Sequence, residues 1–530
     1  MTDLIDVKPD APPIRKWKHL LTPEWLMTAM GAVWLALFPF WQDGSYSHIT
    51  RAKWIGMLTL TWVTVLCALV ALAWRLQRRE KLRPGWMHIA GVAYFAWVAL
   101  SAAFGSWADH MGASGRLTVI EGAYRYEGLI TQLCYGAIFL CMSAAKVKVR
   151  PLLHAASAGM IVYGAFVALQ YAGVNVLGLF PEGTSVRTNY EFQGPLGNID
   201  MVVGYAALVT AASLTGFAGL DDPAAPGGAS RRMPRLAGLW LAAGWTGVLL
   251  LFCMEVQSGL IMLAALLFLL MMMALLRPES RWRVAVILAG ILMLLTVRLL
   301  IALPWLDGTA EIALRFAWRR LLPALAGVLL LGGAWLLRRR PGRAMSAGLT
   351  AGIGAALIIA AVAAVYALPL PAGTGLWELQ EILHGRPQDA FGSERIGVWR
   401  LTLEMCRGEL LWGLGPDTFL HAMDHHLWQT GQSLVQRFDN PHNLLLGVLA
   451  NSGLPALGLY LLLTAGLPGQ ALLQGRRRTE AVPLAMAALC YLVQGMFTFS
   501  ICLVTPMYWA VLGMLAGLLN EPKERKEADL

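Results

Sequence analysis

Residues 55–74 read Ile55-Gly-Met-Leu-Thr-Leu-Thr-Trp-Val-Thr-Val-Leu-Cys-Ala-Leu-Val-Ala-Leu-Ala-Trp74, with no charged side chain among them. As a helix, a run of that length covers about 30 Å, the hydrocarbon thickness of a bilayer. Only a helix satisfies every backbone N–H and C=O within one segment in lipid, so the stretch reads as a membrane-spanning helix. Residues 237–254 and 347–368 repeat the pattern. The short alternating segments of a membrane β-barrel are not seen.

The whole chain carries the same signal. Of its 530 residues 57% are hydrophobic and 14% charged, and its mean hydropathy is +0.57. A soluble chain carries about a quarter charged residues. The expected fold is therefore all-α and integral to a membrane, a polytopic bundle of about 14 transmembrane helices. The expected spans are 25–41, 55–74, 87–105, 128–145, 151–171, 199–219, 237–254, 258–276, 284–303, 321–337, 346–368, 443–466, 481–500 and 504–519. Arg298 falls inside the ninth, where it is expected to snorkel toward an interface. Arg315, Arg319 and Arg320 crowd the start of the tenth.

The net charge of +10 raises nucleic acid as a partner, and the placement of the charge argues against it. Basic residues gather in alternate connections: Arg15, Lys16 and Lys18; Arg75, Arg78, Arg79, Lys81 and Arg83; Lys146, Lys148 and Arg150; Arg231, Arg232 and Arg235; Arg277, Arg281 and Arg283; Arg338 to Arg340 and Arg343; Arg476 to Arg478. That is the positive-inside pattern, which places these loops and both termini in the cytoplasm. No short apolar stretch with a small-residue cleavage site opens the chain, so the first span is expected to be a retained anchor. The organisation expected is a transmembrane region over 1–370, an extracytoplasmic loop over 371–442, C-terminal spans over 443–520 and a cytoplasmic tail over 521–530. The other long outer loops are 106–127 and 172–198. The seven cysteines suggest no disulfide framework and read as small apolar fillers.

Four polar stretches concentrate in the outer loops. In the first, Glu121-Gly-Ala-Tyr-Arg-Tyr-Glu-Gly128, Arg125 lies between Tyr124 and Tyr126 with Glu127 next. It suits an anion or a sugar face, and equally an interfacial anchor. In the second, 187–198, Gly194-Pro-Leu-Gly-Asn198 predicts a tight turn, Asn198 a helix cap, and Arg187 either a site residue or a surface partner of Glu191. In the third, 393–404, Ser393 is the expected N-cap of a helix whose apolar face carries Ile396, Trp399 and Leu403. Arg395 and Trp399 are neighbours on that helix. Arg395 either stacks on Trp399 or presents its planar fork to a diphosphate. The fourth joins Leu411-Trp-Gly-Leu-Gly-Pro-Asp-Thr-Phe419 to Asp439-Asn-Pro-His-Asn443. His442 there is a structural donor or a group that takes a proton near neutral pH. His421 and His425, beside Asp424 and His426, have metal-like i, i+4 spacing but no third ligand, and one surface helix gives the same pattern.

Together the third and fourth stretches resemble the signature domain of the O-antigen ligase and O-antigen polymerase superfamily. The matching elements are Arg395 with Trp399, Gly413-x-Gly415-x-x-x-Phe419, His442-Asn443 and Gly453-Leu454-Pro455. The resemblance covers about 391–460, and more weakly Gly194 to Asn198 and the hydropathy profile. It implies an inverting glycosyltransferase that uses no metal and no cofactor. The donor would be a glycan on undecaprenyl diphosphate, and the acceptor a hydroxyl of another glycan, of lipid A core or of a protein. The place of action would be the periplasmic face of a bacterial inner membrane, in polysaccharide or lipopolysaccharide biosynthesis. By position, Arg395 matches an arginine that binds diphosphate, and His442 a histidine that acts as base or positions the acceptor. Arg187, Arg125, Trp399, Asn443 and Glu127 are the expected substrate-binding residues. The family's mid-chain Ser-Arg falls here at Gln257-Ser258-Gly259, without its arginine: either Arg187 or Arg125 replaces it, or this chain works differently.

Bond cleavage between a sugar and a diphosphate leaves an anion, and fixed arginines stabilise it without losing their charge. No Asp-x-Asp motif and no soluble Rossmann-like half is present for a nucleotide-sugar donor. The rival class is a transporter or flippase of lipid-linked glycans, which predicts ionisable residues along a central path and two related halves of broken helices. The polar groups gather at one face instead.

Overall fold

The computed structural model describes residues 22–80, 83–112, 115–123, 125–186, 192–221, 234, 236–301, 320–339, 342–432 and 437–520. The helices run in the order α1 (Pro23–Ala32), α2 (Ile49–Gln77), α3 (Trp86–Phe104), α4 (Trp107–Met111), α5 (Gly115–Glu121), α6 (Leu129–Met142), α7 (Val149–Tyr171), α8 (Ile199–Gly219), α9 (Ala237–Met254), α10 (Gln257–Leu276), α11 (Arg281–Ile301) and α12 (Leu322–Arg339). Then come α13 (Ala347–Ala367), α14 (Gly375–Leu383), α15 (Arg395–Cys406), α16 (Phe419–Thr430), α17 (Leu444–Leu461), α18 (Leu467–Leu473), α19 (Ala481–Gly495) and α20 (Thr505–Leu519). Two short strands, β1 (Phe192–Gln193) and β2 (Gly197–Asn198), pair antiparallel ahead of α8.

The chain is an all-α polytopic membrane protein. Among the described residues ten helices are long and apolar enough to cross a membrane, and α6, α19 and α20 are shorter apolar helices. The expected span 25–41 is a composite. Helix α1 passes into a π-turn over Val33–Leu37 and a 3-10 turn over Phe38–Phe40, where Pro39 interrupts the ladder. The carbonyls freed there are met by Lys53, fully buried, whose Nζ donates to Phe38 O at 3.0 Å and Pro39 O at 2.7 Å. Arg298 does not simply reach for water: it pairs with Glu255 and donates to Phe252 O at 3.1 Å.

Helix α8 is the central pillar, and its apolar window is wholly buried. Helices α7, α9, α10 and α19 pack around it. Its Gly, Ala, Ser and Thr content permits that closeness. A Cβ on Gly247 of α9 would lie 1.8 Å from Thr210 Oγ1. Helix α20 is buried along its length against α6 and α19, so its 15 residues need not match the full bilayer thickness.

The connection over 371–442 is partly helical, as expected. Val398, Leu401, Met405, Cys406, Phe419, Ala422, Met423 and Phe438 form a second small core that rests on Leu449 and Ala450 of α17. Two details of α15 differ from expectation. Its N-cap is Glu394, which with Ser393 takes a left-handed conformation, so Ser393 does not cap. Its buried face is Val398, Leu401 and Met405, while Leu403 is exposed and Trp399 half-buried.

Gly453-Leu454-Pro455 explains how this loop is fastened. Pro455 has no N–H for the carbonyl of Asn451 four residues back, and Gly453, at φ 77°, breaks α17. The loop residues take over the freed groups. Leu414 N donates to Ala450 O at 2.7 Å, Gly415 N to Asn451 O at 3.1 Å, and Leu454 N to Leu410 O at 2.8 Å. A Cβ on Gly413 would lie 2.6 Å from Ser452 N, so only glycine allows the approach.

Candidate active site

Docking of Gly413 and Gly415 sets the next two residues, Pro416 and Asp417. Asp417 sits at φ 56° with its carboxylate turned into the protein. Its Oδ2 accepts from the backbone of Ala123 at 2.6 Å and of Glu127 at 3.2 Å. These two bonds bracket Arg125 and fix where its side chain leaves the loop. Glu127 is buried, with Oε1 accepting from Tyr135 Oη at 2.6 Å and Oε2 from Ser500 Oγ at 2.8 Å. Burial pushes its carboxyl up to about 8, against the pull of Tyr135 and Ser500 and of the Arg125 charge, with Asp417 adding to the rise. Burial likewise raises Asp417 to about 6.

Arg125 forms a two-bonded ion pair with Asp439, Nη2 to Oδ1 at 2.7 Å and Nε to Oδ2. Its guanidinium lies over the ring of Phe499, 3.7 Å from the centroid. Arg125, Glu127, Asp417, Asp439 and Asn443 line a cleft that encloses about 800 Å³, its open mouth included, and runs inward to Tyr94, Tyr460 and Trp509.

The segment Asp439 to Asn443 forms the rim of this cleft. Trp399 Nε1 donates to Pro441 O at 2.9 Å and ties the rim to α15. The N–H of His442 donates to Asn440 Oδ1 at 2.8 Å, which holds His442 at φ 47°. Asn443 caps α17, its Oδ1 accepting from Leu445 N at 3.0 Å and Leu446 N at 3.1 Å. The His442 ring stands edge-on to Phe499 at 5.2 Å and to Phe438 at 5.7 Å. Burial first, then the charges of Arg125 and Arg395, push its imidazole down to about 4, while Asp439 opposes the shift. At neutral pH the ring is uncharged and has a free lone pair. Arg395, at the start of α15, donates from Nη1 to Gly392 O at 2.8 Å. Its Nε is buried and has no hydrogen-bond partner among the described residues.

The site therefore sets one guanidinium, one neutral imidazole and buried carboxylates around a cleft of mixed polar and aromatic lining, where α6, α17 and α20 begin. Residues 319–461 match the family model described as O-antigen ligase. That segment of the chain is similar to the O-antigen ligase family. No curated protein matches the chain. The matched segment contains Arg395, Trp399, Asp417, Asp439, His442, Asn443 and the Gly453–Pro455 break, while Arg125 and Glu127 come from outside it. The match supports a glycosyltransferase-like role in polysaccharide assembly, with lipid-linked glycan and acceptor substrates as the general kind of partner.

Of the residues expected at a site, Arg125, Glu127 and Asn443 line the cleft, His442 belongs to its rim segment, Trp399 ties that segment to α15, and Arg395 opens α15. Arg187 and its neighbour Glu191 lie outside the described residues, as does Tyr124. Asn198 caps α8 as expected, accepting from Asp200 N at 2.9 Å, and Gly194 to Gly197 form the tight turn. Ser258 is buried at the start of α10, and the charged pair beside it, Arg298 with Glu255, does not line the cleft. Asp424 is spent on Arg437, Nε to Oδ1 at 3.1 Å. Among the described residues no group of three His, Cys, Asp or Glu side chains is placed to hold a metal ion. Phe499 and Ser500 also line the cleft, and no motif in the sequence marks them. The signal available was a Phe-Thr-Phe-Ser run, 497–500, at the same membrane end as the other polar loops.

Proposed function

We propose that the chain moves a glycan from undecaprenyl diphosphate to an acceptor hydroxyl, with inversion and without a metal, at the periplasmic face of an inner membrane. The observation that carries this reading is the gathering of Arg125, Asp439 and His442 around Phe499 at the rim of the cleft. Both termini are assigned to the cytoplasm by the distribution of basic residues.

The donor diphosphate binds to Arg395, whose Nε lacks a partner, and to Arg125, which replaces the arginine missing beside Ser258. The acceptor oxygen attacks the anomeric carbon, and its proton passes to a ring nitrogen of His442. The bond from that carbon to the diphosphate oxygen breaks, and its electron pair leaves with the diphosphate. The two guanidiniums stabilise that negative charge as it develops. A bound diphosphate also offsets the arginine field at His442, so the imidazole becomes a better base once the donor is in place. The buried, aromatic-lined cleft is the acceptor's place, with Glu127 and Asn443 on its wall. The acceptor class, whether glycan, lipid A core or protein, decides between ligase, polymerase and protein glycosylation.

The test uses purified protein in nanodiscs with a synthetic polyprenyl-diphosphate glycan and excess EDTA. Formation of a new glycosidic bond, read by mass spectrometry, is the expected result. Movement of the intact lipid between leaflets with no cleavage identifies a flippase and overturns the proposal.

A further inference from the structure

The inner end of the cleft gathers polar side chains that the protein itself leaves unbonded. Tyr94 of α3, Ser452 and Tyr460 of α17 and Trp509 of α20 line it and are only 4%, 3%, 3% and 2% exposed. Asn451 lines it beside them, half-buried. The backbone at the break in α17 is tied down: Ser101 Oγ donates to Asn451 O at 2.7 Å, and Trp97 Nε1 to Ser452 O at 3.2 Å. The three rings brace one another. Tyr94 stacks on Trp509 with centroids 5.7 Å apart, and Tyr460 lies 5.6 Å from Tyr94 and 6.0 Å from Trp509. Among the described residues the two phenol hydroxyls, the indole N–H, the Ser452 hydroxyl and the Asn451 amide make no hydrogen bond. Folded proteins pair their buried polar groups, so five unpaired ones at one end of one cleft point to a ligand.

We propose that Tyr94, Asn451, Ser452, Tyr460 and Trp509 form a saccharide subsite that selects the acceptor, their free hydroxyl, amide and indole groups reading the hydroxyls of one sugar ring. This rests on the reading above that the cleft is the acceptor's place, and it makes the acceptor a glycan. An anion finds no free cation there: among the described residues Arg125 is the one cation lining the cleft, and it is paired with Asp439 at the rim. Asp417 and Glu127 on the wall add carboxyl groups rather than cations. A purely apolar chain would leave all five polar groups unpaired, at a cost for each. A sugar ring meets both demands. Its C–H faces pack on the aromatic rings, and its hydroxyls accept from Tyr94, Tyr460 and Trp509 and donate to the Asn451 carbonyl oxygen. An acceptor that lacks a matching hydroxyl leaves a buried protein group unpaired, and a pocket discriminates most strongly in that way. A serine or threonine side chain brings a single hydroxyl, too few for five groups.

Binding is measured without donor, by saturation-transfer NMR titration of the protein in nanodiscs. The probes are the methyl glycosides of glucose, galactose, mannose and N-acetylglucosamine, and a serine-containing peptide. At least one glycoside is expected to bind wild type, and the peptide is not. Tyr94→Phe and Tyr460→Phe keep the ring packing and remove only a hydroxyl. Each of them, and Asn451→Ala, is expected to weaken glycoside binding about 10-fold, with the Kd of a polyprenyl-diphosphate glycan donor unchanged. If Asn451→Ala unsettles the break in α17, the two phenylalanine variants carry the test. No glycoside binding, peptide binding in its place, or glycoside Kd values within twofold of wild type in both phenylalanine variants overturns the subsite and leaves a merely hydrated cleft. A rise in donor Kd with glycoside binding intact assigns these residues to the donor and overturns it as well. Wild type that binds a glycoside but never cleaves the donor overturns the donor reading and leaves the saccharide subsite standing.

Discussion

Arg125 and Asp439 meet as a two-bonded ion pair although 314 residues separate them in the chain. The pair joins the loop before α6 to the rim before α17, and the guanidinium lies over Phe499, whose ring also meets His442 edge-on. Hydrogen bonds between charged partners contribute about 1.5–3 kcal/mol. Asp439→Ala is therefore expected to lower kcat/KM about 10- to 100-fold. Steady-state transfer kinetics check this, and a rate equal to wild type would remove Arg125 from its assigned place.

His442→Gln keeps a polar side chain but cannot take the proton, and is expected to lower kcat about 100- to 10,000-fold. The pH profile gives a second test. A base held down to about 4 in the free protein leaves kcat/KM flat through neutral pH, with its acid limb near that value. The acid limb of kcat, which reports the donor complex, is expected at higher pH, because the bound diphosphate offsets the arginine charges. In Arg395→Gln the limb of kcat/KM should also move up, since one of the cations that depress His442 is gone. Coincident limbs for kcat and kcat/KM would contradict the coupling.

Glu127 predicts a pH dependence of stability. Its folded pKa of about 8 lies above the ordinary carboxyl value. The folded state thus holds a proton that the unfolded chain releases near 4.5. The associated stability is complete below that value and is lost as pH rises through about 8. Wild type should lose thermal stability between pH 6 and 9 more steeply than Glu127→Gln, as read by Tm in detergent. Parallel curves would mean that Glu127 is ionised throughout.

Gly453→Ala tests the break in α17. The residue sits at φ 77° and ψ −178°, and an added Cβ would lie 2.3 Å from Leu411 O. The substitution is expected to cost on the order of 2–3 kcal/mol. It should release the 410–415 loop and with it Asp417, so stability and turnover fall together. Retained stability with full turnover would show that the break is not required.

The membrane architecture was legible from hydropathy because a bilayer demands long uncharged helices and nothing else in the chain produces them. Interruptions were not. The segment 25–41 is uniformly apolar, yet Pro39 and a lysine from the next helix make its end a π-turn and a 3-10 turn. The local cap rule failed at Ser393 because the rule assumes an extended N-cap, whereas Ser393 and Glu394 are both left-handed. In the site, Arg395, His442 and Asn443 stood out by motif order, and Arg125 by its aromatic neighbours. Their partners did not. Asp439 and Asp417 act on a loop some 290 to 314 residues away, and sequence spacing carries no trace of that.

The central claim is that Arg125 and Arg395 together hold the diphosphate while the sugar leaves it. The most direct measurement is the single-turnover rate of free polyprenyl diphosphate release, with wild type, Arg125→Ala and Arg395→Ala compared at saturating donor and acceptor. Each variant is predicted to release it at least about 100-fold more slowly than wild type. A wild-type rate in either variant would contradict the account.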